Sequence, residues 1–120
     1  MPDKRYDLEE RLLDFAASIV RLVEQLPKTR SANHIGGQLL RSGTSPLLNH
    51  GEAQAAESKN DFIHKLKVCL KERRESQRAL ALIGRVPLID RPETLSPLEK
   101  ETDELIKIFV ASIRTASGRE

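Results

Sequence analysis

The chain has 120 residues, 38% of them apolar and 32% charged, and its formal net charge is +2. This length suits a single domain, and so small a net charge means that only a local cluster could attract anions strongly. The single cysteine excludes an internal disulfide. No apolar run approaches the roughly 20 residues that span a bilayer, and the N-terminus lacks the order of a signal peptide. We therefore expect a cytoplasmic protein without a membrane partner.

Apolar residues recur every three or four positions, which is the period of a helix, and never alternate with polar ones over the length of a strand. This pattern predicts one all-α domain over residues 1–120, a four-helix bundle with helices at about 7–26, 31–56, 58–85 and 96–116. The first helix should begin at Asp7, with Glu10 completing a capping box. Its core stripe is Leu8, Leu12, Phe15, Ile19, Leu22 and Leu26, widened by Leu13, Ala16, Val20 and Val23.

The second helix contains Pro46, which removes one backbone donor and crowds the Ser42 carbonyl at a cost of about 3 kcal/mol in a helix interior. Apolar and small residues keep helical spacing on both sides of it, which favours one kinked helix. The alternative is a break at Gly43, after which Ser45 caps a new helix that begins with Pro46.

This helix is apolar in two directions. One face carries Ile35, Leu39, Ser42, Pro46, Asn49, Ala53 and Ala56, and the opposite face carries Leu40, Thr44, Leu47, Leu48, Gly51 and Ala55. A lone bundle buries only one face of each helix, so the second face predicts self-association.

The third helix should be capped by Ser58, with Asp61 three residues later. Its core arc holds Phe62, Leu66, Cys69, Leu70 and Leu80, and Arg73 and Gln77 fall within the same arc. A second arc, here called the basic stripe, collects Lys67, Lys71, Arg74, Arg78 and Arg85.

Two interpretations of the basic stripe remain open. It is a candidate site for phosphate backbones, which attract Lys and Arg regardless of base sequence. It is also a candidate for a merely solvated face with intrahelical pairs such as Lys71–Glu75. With so few aromatic residues, stacking on single-stranded bases is not expected.

Polar residues also interrupt the apolar faces of the second and third helices. Because a buried, unpaired charge is costly, we expect Arg73 to pair with Glu52 or with an acid of a neighbouring subunit. The residues of this predicted structural network are Arg41, Asn49, Glu52, Arg73 and Gln77, with Ser45 beside them.

The fourth helix should begin at Ser96 as N-cap, with Pro97 in its first position and Glu99 completing the capping box. Leu98, Leu105, Phe109, Ile113 and Ala116 then form its core face. The connection before it, "VPLIDRPETLSP", should be extended, with Leu88, Ile89 and Leu95 covering the end of the bundle.

Metal binding and catalysis have little support. The histidines His34, His50 and His64, with Cys69, form neither the i,i+4 pair nor the Glu-x-x-His repeat of bundle metal sites. The "RSGTSP" stretch lacks the strand–turn–helix setting of a nucleophile elbow. We expect no metal, no cofactor and no enzymatic activity.

The stretches "LPKT" and "GGQLLRSGTSPLLNHGEAQAAESKNDFIHKLKVCLKERRES" are similar to the four-helix-bundle proteins encoded by intervening sequences in large-subunit ribosomal RNA genes. His50-Gly51 and Arg73 depart from the family pattern. The resemblance implies an antiparallel up-and-down bundle and a ring-like homopentamer. A related branch serves diversity-generating retroelements as an accessory protein that contacts nucleic acid and a reverse transcriptase.

Together these features predict a non-enzymatic accessory protein that binds RNA or DNA through the basic stripe. The alternative is a scaffold that binds another protein, such as a reverse transcriptase, and no nucleic acid.

Overall fold

The computed structural model describes residues 4–90 and 92–118. They form four α-helices: α1 (Lys4–Gln25), α2 (Arg30–Gln54), α3 (Lys59–Arg85) and α4 (Leu95–Ala116), with a short 3₁₀-helix, Pro92–Thr94, directly before α4. No strand occurs among these residues. The all-α, four-helix prediction is therefore confirmed.

Two helices begin at a side-chain cap, and the sequence predicted one of these caps. The Ser58 hydroxyl accepts a hydrogen bond from the Asp61 backbone N–H at 3.1 Å, as predicted for α3. Thr29 caps α2 in the same way through the N–H of Ala32, at 3.2 Å. That cap was not predicted, because the threonine lies in a connection that begins with proline.

Two predicted starts are wrong. Helix α1 already begins at Lys4, so Asp7 lies inside its first turn and does not cap it. Helix α4 begins at Leu95 because the 3₁₀-helix leads straight into it, which places Ser96 and Pro97 within the first turn. The proline is tolerated there because the first N–H groups of a helix have no intrahelical acceptor.

The core is built from one stripe of each helix. Helix α2 packs against both α1 and α3, and α3 packs against α4, while the contact between α1 and α4 is smaller. Buried residues include Leu12, Phe15, Ile19 and Leu22 of α1, Leu39 of α2, Leu66, Cys69, Leu80 and Ile83 of α3, and Leu105 and Phe109 of α4. Ile89 and Leu95 are buried as expected, but Leu13 and Val20 remain 49% and 41% exposed.

Helices α1 and α2 approach each other closely at a glycine. A Cβ atom on Gly43 would lie 2.7 Å from Cγ2 of Ile19, which is well inside van der Waals contact. Gly36, one heptad earlier, is less tight, since its Cβ would lie 3.1 Å from Cδ1 of Leu26. The crossing of these two helices therefore depends on the missing side chain at Gly43.

Helix α2 is continuous through Pro46, so the predicted single helix is confirmed and a break at Gly43 is excluded. Its outer side has the uncovered apolar character expected from the sequence. Leu48 is 72% exposed and Leu40 38% exposed, and Gly37 and Gly51 face open space. Within the described residues, no helix combines the length and hydropathy needed to cross a bilayer.

Candidate nucleic-acid interface and the α2–α3 contact

The basic stripe lies on the solvent side of α3. All five of its residues, Lys67, Lys71, Arg74, Arg78 and Arg85, are exposed. The ion pairs found among the described residues leave every one of them without a carboxylate partner. Because neighbouring positions follow each other every three, four or seven residues, the cations form a row along one side of the helix.

One carboxylate beside this row, Glu75, is engaged with α2. Glu75 accepts a hydrogen bond from Nη2 of Arg41 across the α2–α3 contact, at 3.1 Å. The intrahelical Lys71–Glu75 pair of the alternative interpretation is therefore absent from the ion pairs of the described residues. Four stripe residues, Lys67, Lys71, Arg74 and Arg78, line a depression of about 290 Å³ together with Leu70 and Glu75.

Beneath the stripe, α3 sends one arginine inward to α2. Arg73 is fully buried, and its Nη2 donates a hydrogen bond to the Ser42 carbonyl at 2.6 Å. That carbonyl lies four residues before Pro46. In an unbroken helix it would accept a hydrogen bond from the N–H of residue 46, which proline lacks. Arg73 thus supplies from α3 the donor that proline removes from α2.

The arginine remains charged in this position. Its guanidinium carbon lies 4.3 Å from the centroid of the Phe15 ring, a cation–π contact with α1. Burial lowers the pKa of Arg73 to about 10, against the opposing effect of the Glu72 carboxylate, so the side chain stays protonated at neutral pH. Its Nε and Nη1 atoms have no hydrogen-bond partner among the described residues.

Further polar contacts surround this hydrogen bond and fix α2 against α3. The Ser42 and Ser76 hydroxyls lie 2.9 Å apart, and Asn49 donates to the Glu72 carboxylate at 2.8 Å. Cys69 is buried beside them, with its Sγ 3.8 Å from the Pro46 carbonyl. Burial raises the pKa of Cys69 to about 12, which keeps the thiol protonated and a poor nucleophile.

The predicted pairing of Arg73 with Glu52 is wrong within the chain. Glu52 is exposed and lies 3.8 Å from Lys65. Arg73 instead donates to the backbone carbonyl of Ser42. Gln77, expected in the core, is exposed and donates to Asp103 at 2.7 Å. The five predicted network residues, Arg41, Asn49, Glu52, Arg73 and Gln77, therefore make separate contacts with different partners.

The histidines do not come together. His34 and His64 are exposed, while His50 is 2% exposed and meets the Phe109 ring edge-on, with the ring centroids 6.4 Å apart. Burial lowers the pKa of His50, which favours its neutral form. Among the described residues, no group of three or more His, Cys, Asp or Glu side chains is arranged to hold a metal ion.

Comparisons with known proteins assign the chain to a family. Residues 4–111 match the model of the 23S rRNA-intervening sequence protein. A crystal structure of a protein of unknown function from the S23 ribosomal protein family of Bacteroides thetaiotaomicron is 35% identical, over 88% of this chain and 97% of that one, with a TM-score of 0.81. The comparison with curated proteins gives no match. The chain therefore belongs to the 23S rRNA-intervening sequence protein family.

Proposed function

We propose that this protein is a non-enzymatic, homo-oligomeric accessory protein that binds the phosphate backbone of RNA or DNA through the basic stripe. The observation that carries the proposal is the row of five exposed cations on α3, none of which has a carboxylate partner among the described residues. Unpaired Lys and Arg side chains release counterions from a phosphate backbone when they bind it, and this release drives association.

Recognition of the backbone fits the surface better than recognition of bases. Of the described aromatic side chains, Phe15 and Phe109 are buried and Phe62 is partly buried, so base stacking has no exposed platform there. The chemistry of the site suits a double helix or a folded RNA, in which the phosphates face outward and the bases are already paired.

Self-association would repeat this surface around a ring. Between Ser31 and Gly51, helix α2 carries a single charged residue, Arg41, and its exposed Leu48 has no cover within the chain. Large uncovered apolar surfaces are typical of subunit interfaces. Contacts between α2 and α3 pair residues in opposite order, such as Arg41 with Glu75 and Glu52 with Lys65. This order supports an antiparallel bundle, and the family resemblance supports a pentamer of such bundles.

Substitution of Leu48 by Glu should break the assembly, because a carboxylate on the uncovered face of α2 would be buried without a partner in an interface. Analytical ultracentrifugation should give the wild type a mass about five times the 13.5 kDa of one chain, and should give Leu48→Glu a mass closer to one chain. Ala111→Glu, on an exposed position of α4, is the control and should keep the wild-type mass. A wild type that sediments as a single chain would contradict the assembly.

Reversal of three stripe charges should abolish most of the binding. The triple variant Lys71→Glu, Arg74→Glu, Arg78→Glu should bind generic duplex RNA and DNA at least about tenfold more weakly at low salt, by fluorescence polarisation. The matched control is Lys59→Glu, Lys100→Glu, Lys107→Glu, which changes the net charge equally at exposed positions outside the stripe. Equal losses in both variants would show that net charge alone matters and would contradict a site on α3.

A protein-binding scaffold is the competing function, and the exposed apolar side chains outside α2, Leu13, Leu82 and Val86, are the observation that favours it. In that case another protein, such as a reverse transcriptase, would bind the assembled oligomer through these side chains. The intact oligomer would then bind neither RNA nor DNA at low salt, and the stripe variant would behave as the wild type does.

A further inference from the structure

A cavity of about 460 Å³ opens at the end of the bundle where the start of α1 meets the last turns of α2 and α4. Leu8, Phe62, Leu66 and Ile108 form its apolar walls, and Gln54 and Ser112 supply polar groups. Small-molecule sites typically have about 300–1,000 Å³, apolar walls and few polar groups, and they often lie between the helices of a bundle. The cavity meets these criteria and is separate from the basic stripe on α3.

Among the described residues that line this cavity, the charged side chains are those of Asp7 and Arg11. Arg11 on its rim is held by Glu101 through two hydrogen bonds, of 2.6 and 2.9 Å, so its charge is already compensated. Asp7 also lies on the rim, and the pKa of Arg11 is raised mainly by its bond to Glu101, with Glu104 and Asp7 contributing. Burial lowers the pKa of His50, the third titratable group of the lining, which favours its neutral form. With Arg11 paired to Glu101, the Asp7 carboxylate favours a cationic ligand over an anionic one.

We propose that this cavity binds a small apolar molecule that ends in an ammonium group, with its apolar part between Leu66 and Ile108 and its charge at the Asp7 rim. Burial of an aromatic ring against these walls supplies the affinity, at about 25 cal/mol for each Å² of apolar surface removed from water. The Asp7 carboxylate of the lining supplies the selectivity for charge.

A pair of probes with the same ring and opposite charge tests the proposal on the full chain. Naphthylmethylammonium should bind saturably in a calorimetric titration at neutral pH, and naphthylacetate should bind at least tenfold more weakly. In methyl NMR spectra, the shifts on adding the cation should centre on Leu8, Leu66 and Ile108. Equal affinity for both probes, no saturable binding of the cation, or shifts elsewhere on the molecule would overturn the proposal.

A cavity-filling variant gives an independent check. Ser112→Trp places an indole in the cavity and should abolish binding of the cation. Thr115→Trp, on an exposed position one turn later on α4, should leave binding unchanged. Circular dichroism reports whether each variant keeps its helices, and the NMR map of the wild type decides the question if Ser112→Trp does not fold. Undiminished binding by a folded Ser112→Trp protein would contradict the site.

Discussion

Replacement of Arg73 by Met is expected to lower the free energy of unfolding by about 1–3 kcal/mol, because it leaves the buried Ser42 carbonyl without a donor. The same replacement should be much less harmful in a Pro46→Ala background, where the N–H of the new alanine can bond to that carbonyl within α2. It can even stabilise the protein there, since a buried charge with unpartnered nitrogens is removed.

The test is a double-mutant cycle over the wild type, Pro46→Ala, Arg73→Met and the double variant, by urea denaturation at one protomer concentration. We expect a coupling energy of at least about 1 kcal/mol. A second cycle that combines Pro46→Ala with Arg41→Met is the control, because Arg41 bonds an exposed carboxylate and does not contact the Ser42 carbonyl. If the Arg73 cycle is as additive as the control, the hydrogen bond does not compensate for the proline.

Substitution of Gly43 by Ala should also destabilise the protein, by about 1–3 kcal/mol, although alanine is the better helix former. The new Cβ would lie within 3.1 Å of three Ile19 side-chain atoms, including Cβ of that residue, which cannot move without the backbone of α1. The helices must separate, or Ile19 must leave its rotamer. Either response loses packing in the middle of the α1–α2 contact.

Gly37→Ala is the matched control on the same helix, because nothing lies within 4 Å of its added Cβ. Compared in the Leu48→Glu background, where no second subunit covers this outer face of α2, it should raise the free energy of unfolding by up to about 1 kcal/mol through helix propensity alone. Thermal and urea denaturation of the two variants should thus shift in opposite directions. Equal stabilisation by both alanines would mean that α1 and α2 do not cross as closely at Gly43 as the structure indicates.

The sequence predicted those features that depend on local chemistry. The Ser58 cap follows from one hydroxyl before a run of apolar residues, and the basic stripe follows from the period of a helix. The uninterrupted helix through Pro46 was predicted because small and apolar residues keep their spacing on both sides of it. Such signals lie within a few residues of the element that they specify.

Features that depend on contacts between distant segments were not predictable. Arg73 was expected to be buried and to pair with a carboxylate. Its partner is a backbone carbonyl, and because every residue has one, the sequence does not show which carbonyl is the acceptor. The pairing of Glu75 with Arg41, which leaves the stripe unpaired, joins residues 34 positions apart. The prediction for the start of α4 was wrong for a related reason. Ser96 and Pro97 were expected to begin this helix, but the 3₁₀-helix before Leu95 leads directly into it.

The affinity for duplex DNA and RNA as a function of salt concentration tests the proposed function most directly. If most of the five stripe cations each contact a phosphate, the logarithm of the association constant should fall linearly with the logarithm of salt concentration, with a slope of about −3 or steeper on B-form DNA. Assembly into a ring that engages several stripes would make it steeper still. A slope near zero, or no binding by the intact oligomer at low salt, would contradict the account.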